Sequence, residues 1–327
     1  MKSGPLSVAL RDAGIAETVV HTGQHWAPEM SAVFFDELGL PEPRYRLDLR
    51  TADAGAMEPA IRAVVEREEP DYVLVYGDTN STLAGARAAG ARPVAHVEAG
   101  LRSFDLTMPE ERNRIEVDRI AELLLCPDEG SAAQLAAEGV RGRREVVGDV
   151  MADAIRVFLP IARSRAPEQA AGDYAVLTLH REANTEPTRL RRLLGAVADT
   201  QRAFVFPVHP RTLRVIREHA IALPPNVRAI EPLGYLEMLA LLAGSARVVT
   251  DSGGLQKEAY WLRVPCVTLR PSTEWVDTVR VGANTLVDPS APDGLPAVLA
   301  AASFPDDAPT LYGDGYASQR IAALLAS

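Results

Sequence analysis

Residues 247–262 read RVVTDSGGLQKEAYWL. Four residues of strand type run into Asp251-Ser252-Gly253-Gly254, and a segment of helical period follows at once. A strand that breaks on small residues and reopens as a helix is the unit of a parallel α/β sheet. The same unit recurs in both directions. Strands are expected at Glu17–Thr22, Tyr72–Tyr76, Pro93–Val97, Leu123–Cys126, Glu145–Val147, Tyr174–Thr178, Phe204–Pro207, Val227–Ile230 and Cys266–Leu269, besides Arg247–Thr250. Helical periodicity fills the gaps, as at Met57–Glu68, Thr79–Ala89, Arg189–Gln201 and Leu255–Leu262. The alternation predicts an α/β protein built of doubly wound, Rossmann-like sheets.

The chain has 327 residues, enough for about two domains at roughly 150 residues each. The polar stretch SRAPEQAAGD (164–173) divides two βα series. It predicts an N-terminal domain over 1–165 and a nucleotide-binding domain over 166–316. A last helix, 317–326, is expected to pack back on the first domain.

Composition narrows the class. Hydrophobic residues make up 47% and charged residues 24%, which excludes a disordered chain or a small disulfide scaffold. Lys plus Arg is 34 against 44 Asp plus Glu, a net charge of −10 with no basic stripe for nucleic acid. Cys126 and Cys266 sit in apolar runs and read as buried thiols of a reducing compartment. No apolar run approaches the roughly 18 residues of a membrane span, and MKSGPLSVALRD does not read as a signal peptide. A cytoplasmic protein without membrane partners is expected.

Ligands of open α/β sheets bind beyond the carboxyl ends of the strands, so the residues there carry the functional reading. They are Gly23-Gln24-His25, Gly77-Asp78-Thr79-Asn80, Glu98-Ala99-Gly100-Leu101-Arg102, His180-Arg181-Glu182, His209-Pro210-Arg211 and Asp251-Ser252-Gly253-Gly254. The last is the best phosphate loop: glycines admit a close ligand and a helix start favours an anion. Glu258, one turn on, suits the two hydroxyls of a ribose. Asp78, Glu98 and Glu110 form a set of acids suited to proton transfer. Two of the three have a plainer competing role. Asp78 can cap a helix, and Glu110 and Glu111 can offset a helix dipole behind Pro109. His180 and His209 suit phosphate or leaving-group contacts. No Gly-x-Gly-x-x-Gly fingerprint, Walker loop or metal-ligand spacing is present, so neither a cofactor nor a metal is expected.

The stretches HTGQHW (21–26), YGDTNSTLAGA (76–86), HVEAGLRSFD (96–105), MPEERNR (108–114), VGDVMADA (147–154), LTLHRE (177–182), FPVHPRT (206–212), TDSGGLQKEA (250–259), RVPCVTLRPSTEW (263–275) and YGDG (312–315) together resemble the non-hydrolysing UDP-N-acetylglucosamine 2-epimerases. The match runs in order over nearly the whole chain. It implies two Rossmann-like domains facing a cleft in the GT-B arrangement, and reversible interconversion of UDP-GlcNAc and UDP-ManNAc without cofactor. Asp78, Glu98, Glu110 and His180 stand where that family has catalytic residues. Lys2, Arg102, His209, Arg211, Ser252, Gly253, Gly254 and Glu258 fall in its substrate-binding stretches. Gln24 and His25 look like part of an activator site for a second UDP-GlcNAc, and a homodimer is implied.

The resemblance has gaps. The family opens with a strand and a Gly-Thr-Arg-Pro-Glu loop, and here the sequence begins in what resembles the following helix. The first strand of the first domain is therefore expected to be missing, with a native start upstream or a truncated form of weak activity. Lys257 stands where the family usually has an acid, and Val276 where it usually has a proline. Three other activities fit the same motifs: a hydrolysing 2-epimerase, a UDP-sugar-binding protein without turnover, and a GT-B glycosyltransferase.

Overall fold

The computed structural model describes residues 2–24, 42–165, 167–168 and 172–326. The chain forms two compact units, Met1–Val157 with Tyr312–Ser327, and Phe158–Leu311. The helix Val150–Arg163 runs through the junction.

The described residues of the first unit form six short strands: β1 (Val20–His21), β2 (Tyr45–Arg46), β3 (Val73–Tyr76), β4 (Val94–Val97), β5 (Leu123–Cys126) and β6 (Arg143–Val146), each parallel to its partner. They form two pieces. One is the pair β1-β2, and the other is the sheet β3-β4-β5-β6. Among the described residues no strand joins them. Side chains alternate across the larger sheet, as the pleat requires. Ala95, Val97, Leu123 and Leu125 pack on one face with Leu6 and Leu10 of the helix Ser3–Asp12 and Ile321 of the helix Ala317–Leu325. Val75, Val94, Leu124 and Cys126 pack on the other with Leu83, Val117 and Leu135. The start of the helix Ala317–Leu325 is fixed by buried Asp153, which accepts from the backbone N–H groups of Ala317 (3.1 Å) and Ser318 (2.7 Å).

The second unit holds β7 (Ala175–Thr178), β8 (Phe204–Pro207), β9 (Val227–Ile230), β10 (Arg247–Thr250), β11 (Cys266–Thr268) and β12 (Asn284–Leu286). All are parallel, in one unbroken sheet of order β12-β11-β10-β7-β8-β9. The chain starts at the centre, winds out to β9, then returns to β10 and winds the other way. That is the doubly wound topology, with its switch point between β7 and β10. Leu177, Phe204, Phe206, Val249 and Val267 face the helix Pro187–Asp199, which offers Leu190, Leu193, Leu194 and Val197 on one stripe. Val176, Val205, Val248 and Cys266 face Leu241, Leu242, Leu255 and Ala259.

The two short strands β2 and β12 fall outside the sequence reading. Asn284 begins β12, an unpromising residue for a strand. Its buried amide bonds Gln256 Oε1 (3.0 Å), Thr278 Oγ1 (3.2 Å) and Thr268 Oγ1 (2.8 Å), so tertiary hydrogen bonds override the local preference. Both cysteines are buried free thiols, pushed up to about 12 by burial. Among the described residues no helix is long and apolar enough to cross a membrane.

Candidate active site

In the first unit the chemistry gathers where β3 and β4 end. Gly77 turns the chain at φ +64°, and a Cβ there would stand 3.1 Å from Glu98 Oε2 and 3.2 Å from Lys2 Nζ. Only glycine lets the turn come this close to both groups. Lys2 is ion-paired to Glu98, whose backbone is itself left-handed at φ +73°. Burial pulls the Lys2 ammonium down. The charge and hydrogen bond of Glu98, with Asp149 and Asp78 behind them, outweigh burial and hold its pKa above the ordinary value.

Asp78 follows Gly77. The helix Asn80–Ala88 is capped by Thr79, whose hydroxyl accepts from Thr82 N, so Asp78 is released from the capping role. Its carboxylate instead pairs with Arg114. Its carbonyl accepts from Asn113 Nδ2 at 3.1 Å. Arg114 also holds Glu111 at 2.6 Å, and buried Glu111 accepts from the N–H groups of Ser103 and Phe104 at 3.0 Å each. The adjacent acids of the helix Pro109–Ile120 thus divide. Glu111 anchors the preceding loop, and Glu110 stays exposed on the first turn.

Arg102, expected to bind substrate, has a side chain only 2% exposed. Its donors go to Asp118 Oδ2 (2.7 Å), to Glu138 (2.8 and 2.6 Å) and to the Leu101 carbonyl (2.7 Å). A guanidinium so committed is an internal strut. Gln24 places its amide oxygen on Ser81 N (2.8 Å) and Ser81 Oγ (2.7 Å), in the first turn of the helix after Asp78. His25 lies outside the described residues.

In the second unit Asp251 is fully buried at the end of β10. It accepts from His180 N (3.1 and 3.0 Å), Arg181 N (3.0 Å) and Asn184 Nδ2 (3.2 Å), and lies 2.8 Å from His180 Nδ1. Burial works against its charge, but His180 and these backbone donors hold its pKa below the usual carboxylate range. An ionised Asp251 fixes the His180 proton on Nδ1 and leaves Nε2 to act. The His180 side chain is 38% exposed.

His209 caps the helix Pro210–Glu218 through Nδ1, which accepts from Arg211 N at 3.2 Å, and its ring centre lies 5.8 Å from that of His180. Burial, followed by the charges of His180 and Arg211, pushes its pKa down. Arg211 is exposed beside it.

Ser252 caps the helix Gly253–Trp261, and its hydroxyl accepts from Leu255 N at 3.4 Å. Gly253 packs under the loop after β11, where a Cβ would meet Glu274 Oε1 at 2.6 Å. Glu274 pairs with Arg270 at 2.8 Å, and Trp275 Nε1 donates to the Gly253 carbonyl at 2.9 Å. Gly254 is exposed at the helix start. Burial pushes the Glu258 carboxyl up to about 7, with Lys257 partly opposing it. Lys257 itself stacks its ammonium 4.0 Å from the Trp275 ring centre.

Each unit therefore brings its own candidates together. The first gathers Lys2, Asp78 and Glu98, and the second His180, His209 and Arg211, with Ser252, Gly253 and Gly254 following Asp251 and Glu258 one turn into the same helix. Sequence reasoning missed Arg114, though a signal existed. It lies four residues after Glu110 and three after Glu111, on the same helix face.

The family model described as UDP-N-acetylglucosamine 2-epimerase matches residues 9–326. The UDP-2,3-diacetamido-2,3-dideoxy-D-glucuronate 2-epimerase of Pseudomonas aeruginosa is 44% identical over 327 aligned residues, covering 95% of this chain and 92% of that protein. The crystal structure of Methanocaldococcus jannaschii UDP-GlcNAc 2-epimerase in complex with UDP-GlcNAc and UDP superposes with a TM-score of 0.83 at 36% identity, covering 99% of this chain and 95% of that one. The Neisseria meningitidis UDP-GlcNAc 2-epimerase bound to UDP-GlcNAc gives a TM-score of 0.82 at 28% identity, with 99% and 95% covered.

Proposed function

The chain belongs to the UDP-N-acetylglucosamine 2-epimerase family, and from that premise we propose that it interconverts UDP-GlcNAc and UDP-ManNAc reversibly, by elimination and re-addition of UDP. The C2 proton of the sugar is not beside a carbonyl and is a poor acid. Elimination therefore begins with stretching of the C1–O bond and oxocarbenium character at C1. The bond electrons leave on the diphosphate. A carboxylate of the first unit takes the C2 proton, and 2-acetamidoglucal forms. Re-addition of UDP at C1, with a proton delivered to the opposite face of C2, gives the epimer.

The observation that carries this reading is the pair of ion-paired carboxylates at adjacent strand ends, Asp78 with Arg114 and Glu98 with Lys2. Ionised acids held in place suit both a developing cation and proton transfer. Glu110 is the third acid of the set. His180, oriented by Asp251, serves the departing diphosphate, and Ser252, Gly253 and Gly254 hold it at a helix start. Glu258 takes the ribose hydroxyls, with His209 and Arg211 completing the nucleotide contacts. The same reading includes a homodimer, an activating second UDP-GlcNAc at Gln24 and His25, and a cytoplasmic setting.

Incubation with UDP-GlcNAc in heavy water tests it. Deuterium should enter C2 of both epimers, with no net release of UDP. Stoichiometric UDP with free ManNAc would establish the hydrolysing reaction instead. Binding without exchange would leave a UDP-sugar-binding protein. A second substrate, the UDP-2,3-diacetamido uronate, is favoured by the 44% identity to the Pseudomonas enzyme. The ratio of C2 exchange rates for the two sugars decides between them.

A further inference from the structure

The turn that carries Asp78 rests on a fully buried histidine, His96 of β4. Its Nε2 lies 2.7 Å from the Gly77 carbonyl oxygen and its Nδ1 2.7 Å from Asp118 Oδ1. The carbonyl can only accept. Asp118 Oδ2 already takes Arg102 Nη1 at 2.7 Å and Gly100 N at 3.3 Å. With Asp118 a carboxylate, as its pairing with the guanidinium favours, a neutral ring would aim a nitrogen lone pair at one of these oxygens.

We propose that His96 carries a proton on both ring nitrogens and serves as a positioning residue, fixing the Gly77–Asp78 peptide and with it the aim of Asp78 and Glu98. The inference rests on the epimerase reading for its catalytic consequence and on geometry alone for the protonation.

The leverage is local. The Gly77 amide donates to the Val97 carbonyl at 2.9 Å while its own carbonyl takes the His96 proton, so the turn is clamped from both sides. Glu98 is two residues beyond His96 on the same chain, and its N–H donates to the Leu125 carbonyl at 3.1 Å. One ring thereby ties together the two loops that present the acids.

Two measurements test the proposal. In nitrogen-15 NMR of the intact chain, one histidine should show two exchange-protected ring N–H resonances that vanish in His96→Asn. An unprotonated ring nitrogen at His96 overturns the protonation. The second compares His96→Gln with His96→Asn. Glutamine can still donate toward the Gly77 carbonyl, whereas asparagine reaches only Asp118. H96N should lower kcat about a hundredfold with KM within about twofold, the scale of misplacing a reacting group by an ångström. H96Q should retain about ten times the kcat of H96N at comparable Tm. Equal kcat values in the two variants, or a loss carried by KM, overturns the positioning role. Should the wild type fail to exchange C2 in heavy water, the epimerase reading falls, and the NMR measurement still decides the state of His96.

Discussion

In the second unit β10 pairs with β7 on one side and β11 on the other, and Val248 and Val249 are both 0% exposed. Among the described residues of the first unit β3 pairs with β4 alone, Val75 is 6% exposed, and Leu74 and Tyr76 are only half-buried. Where the second sheet has a central strand, the described residues beside β3 meet through side chains. Thr22 Oγ1 meets Ser81 Oγ at 2.8 Å, and Gln24 covers the same helix start. The acids proposed for proton transfer lie on this less enclosed sheet, and the nucleotide groups lie on the whole one. Functional elements tend to occupy the less stable parts of a fold, where local motion costs least.

The largest expected effect separates the two units by chemistry. Glu98→Gln or Asp78→Asn should lower kcat about 10³-fold, within the usual range for a lost acid–base group. Calorimetric affinity for UDP should stay within about threefold of wild type. Ser252→Ala should do the reverse and weaken UDP. If Glu98→Gln loosens UDP as much as Ser252→Ala does, the division of labour between the units is wrong.

A smaller effect compares the cores. Leu177 is 0% exposed at the centre of the whole sheet, and its truncation to alanine should cost about 3–5 kcal/mol. Leu74→Ala on β3 should cost about 1–2 kcal/mol, because part of its side chain is exposed already. Chemical denaturation of each variant measures both. Equal losses would mean that β3 is as well enclosed as β7. Native-state hydrogen exchange sharpens the contrast. The amides of β7 and β10 should exchange only with opening of the whole unit, and those of β1 at lower cost.

How far the sequence discloses this asymmetry depends on the kind of signal. Strands β5, β8, β9 and β10 match their expected bounds residue for residue, and in β5, β8 and β10 burial on both faces leaves a near-continuous hydrophobic run. The two-residue β1 falls inside the longer expected strand Glu17–Thr22, and β2 pairs with it through backbone atoms that carry no such mark. The positions proposed for function were legible where a strand ended on a charged residue, as with Asp78, Glu98 and His180. Commitment was not legible. Arg102 and Glu111 share the same motifs as Glu98 and Glu110, yet their charges are spent on Asp118 and Glu138, and on two backbone amides. Nothing in the spacing distinguishes a carboxylate aimed outward from one turned back into its own loop. His96 illustrates the converse: two residues before an acid on a buried strand it looks like core, and only the Gly77 carbonyl beside it gives it a purpose.

The smallest expected effect concerns the nucleotide side and carries two opposite signs. Burial raises the Glu258 carboxyl to about 7 from an unfolded value near 4.5. A raised acid favours its protonated form in the folded chain, so its contribution to stability is complete below about pH 4.5 and is lost as pH rises through about 7. The Tm of the free protein should therefore fall by a few degrees more across that window than the Tm of Glu258→Gln, which has no proton to lose. UDP should reverse the trend. A carboxylate that accepts two ribose hydroxyls must be ionised, so UDP affinity should tighten as pH rises through about 7, with release of a proton on binding below it. Titration calorimetry in buffers of different ionisation enthalpy reads that proton directly. Proton release that persists undiminished in Glu258→Gln would assign it to another group and remove Glu258 from the ribose contact.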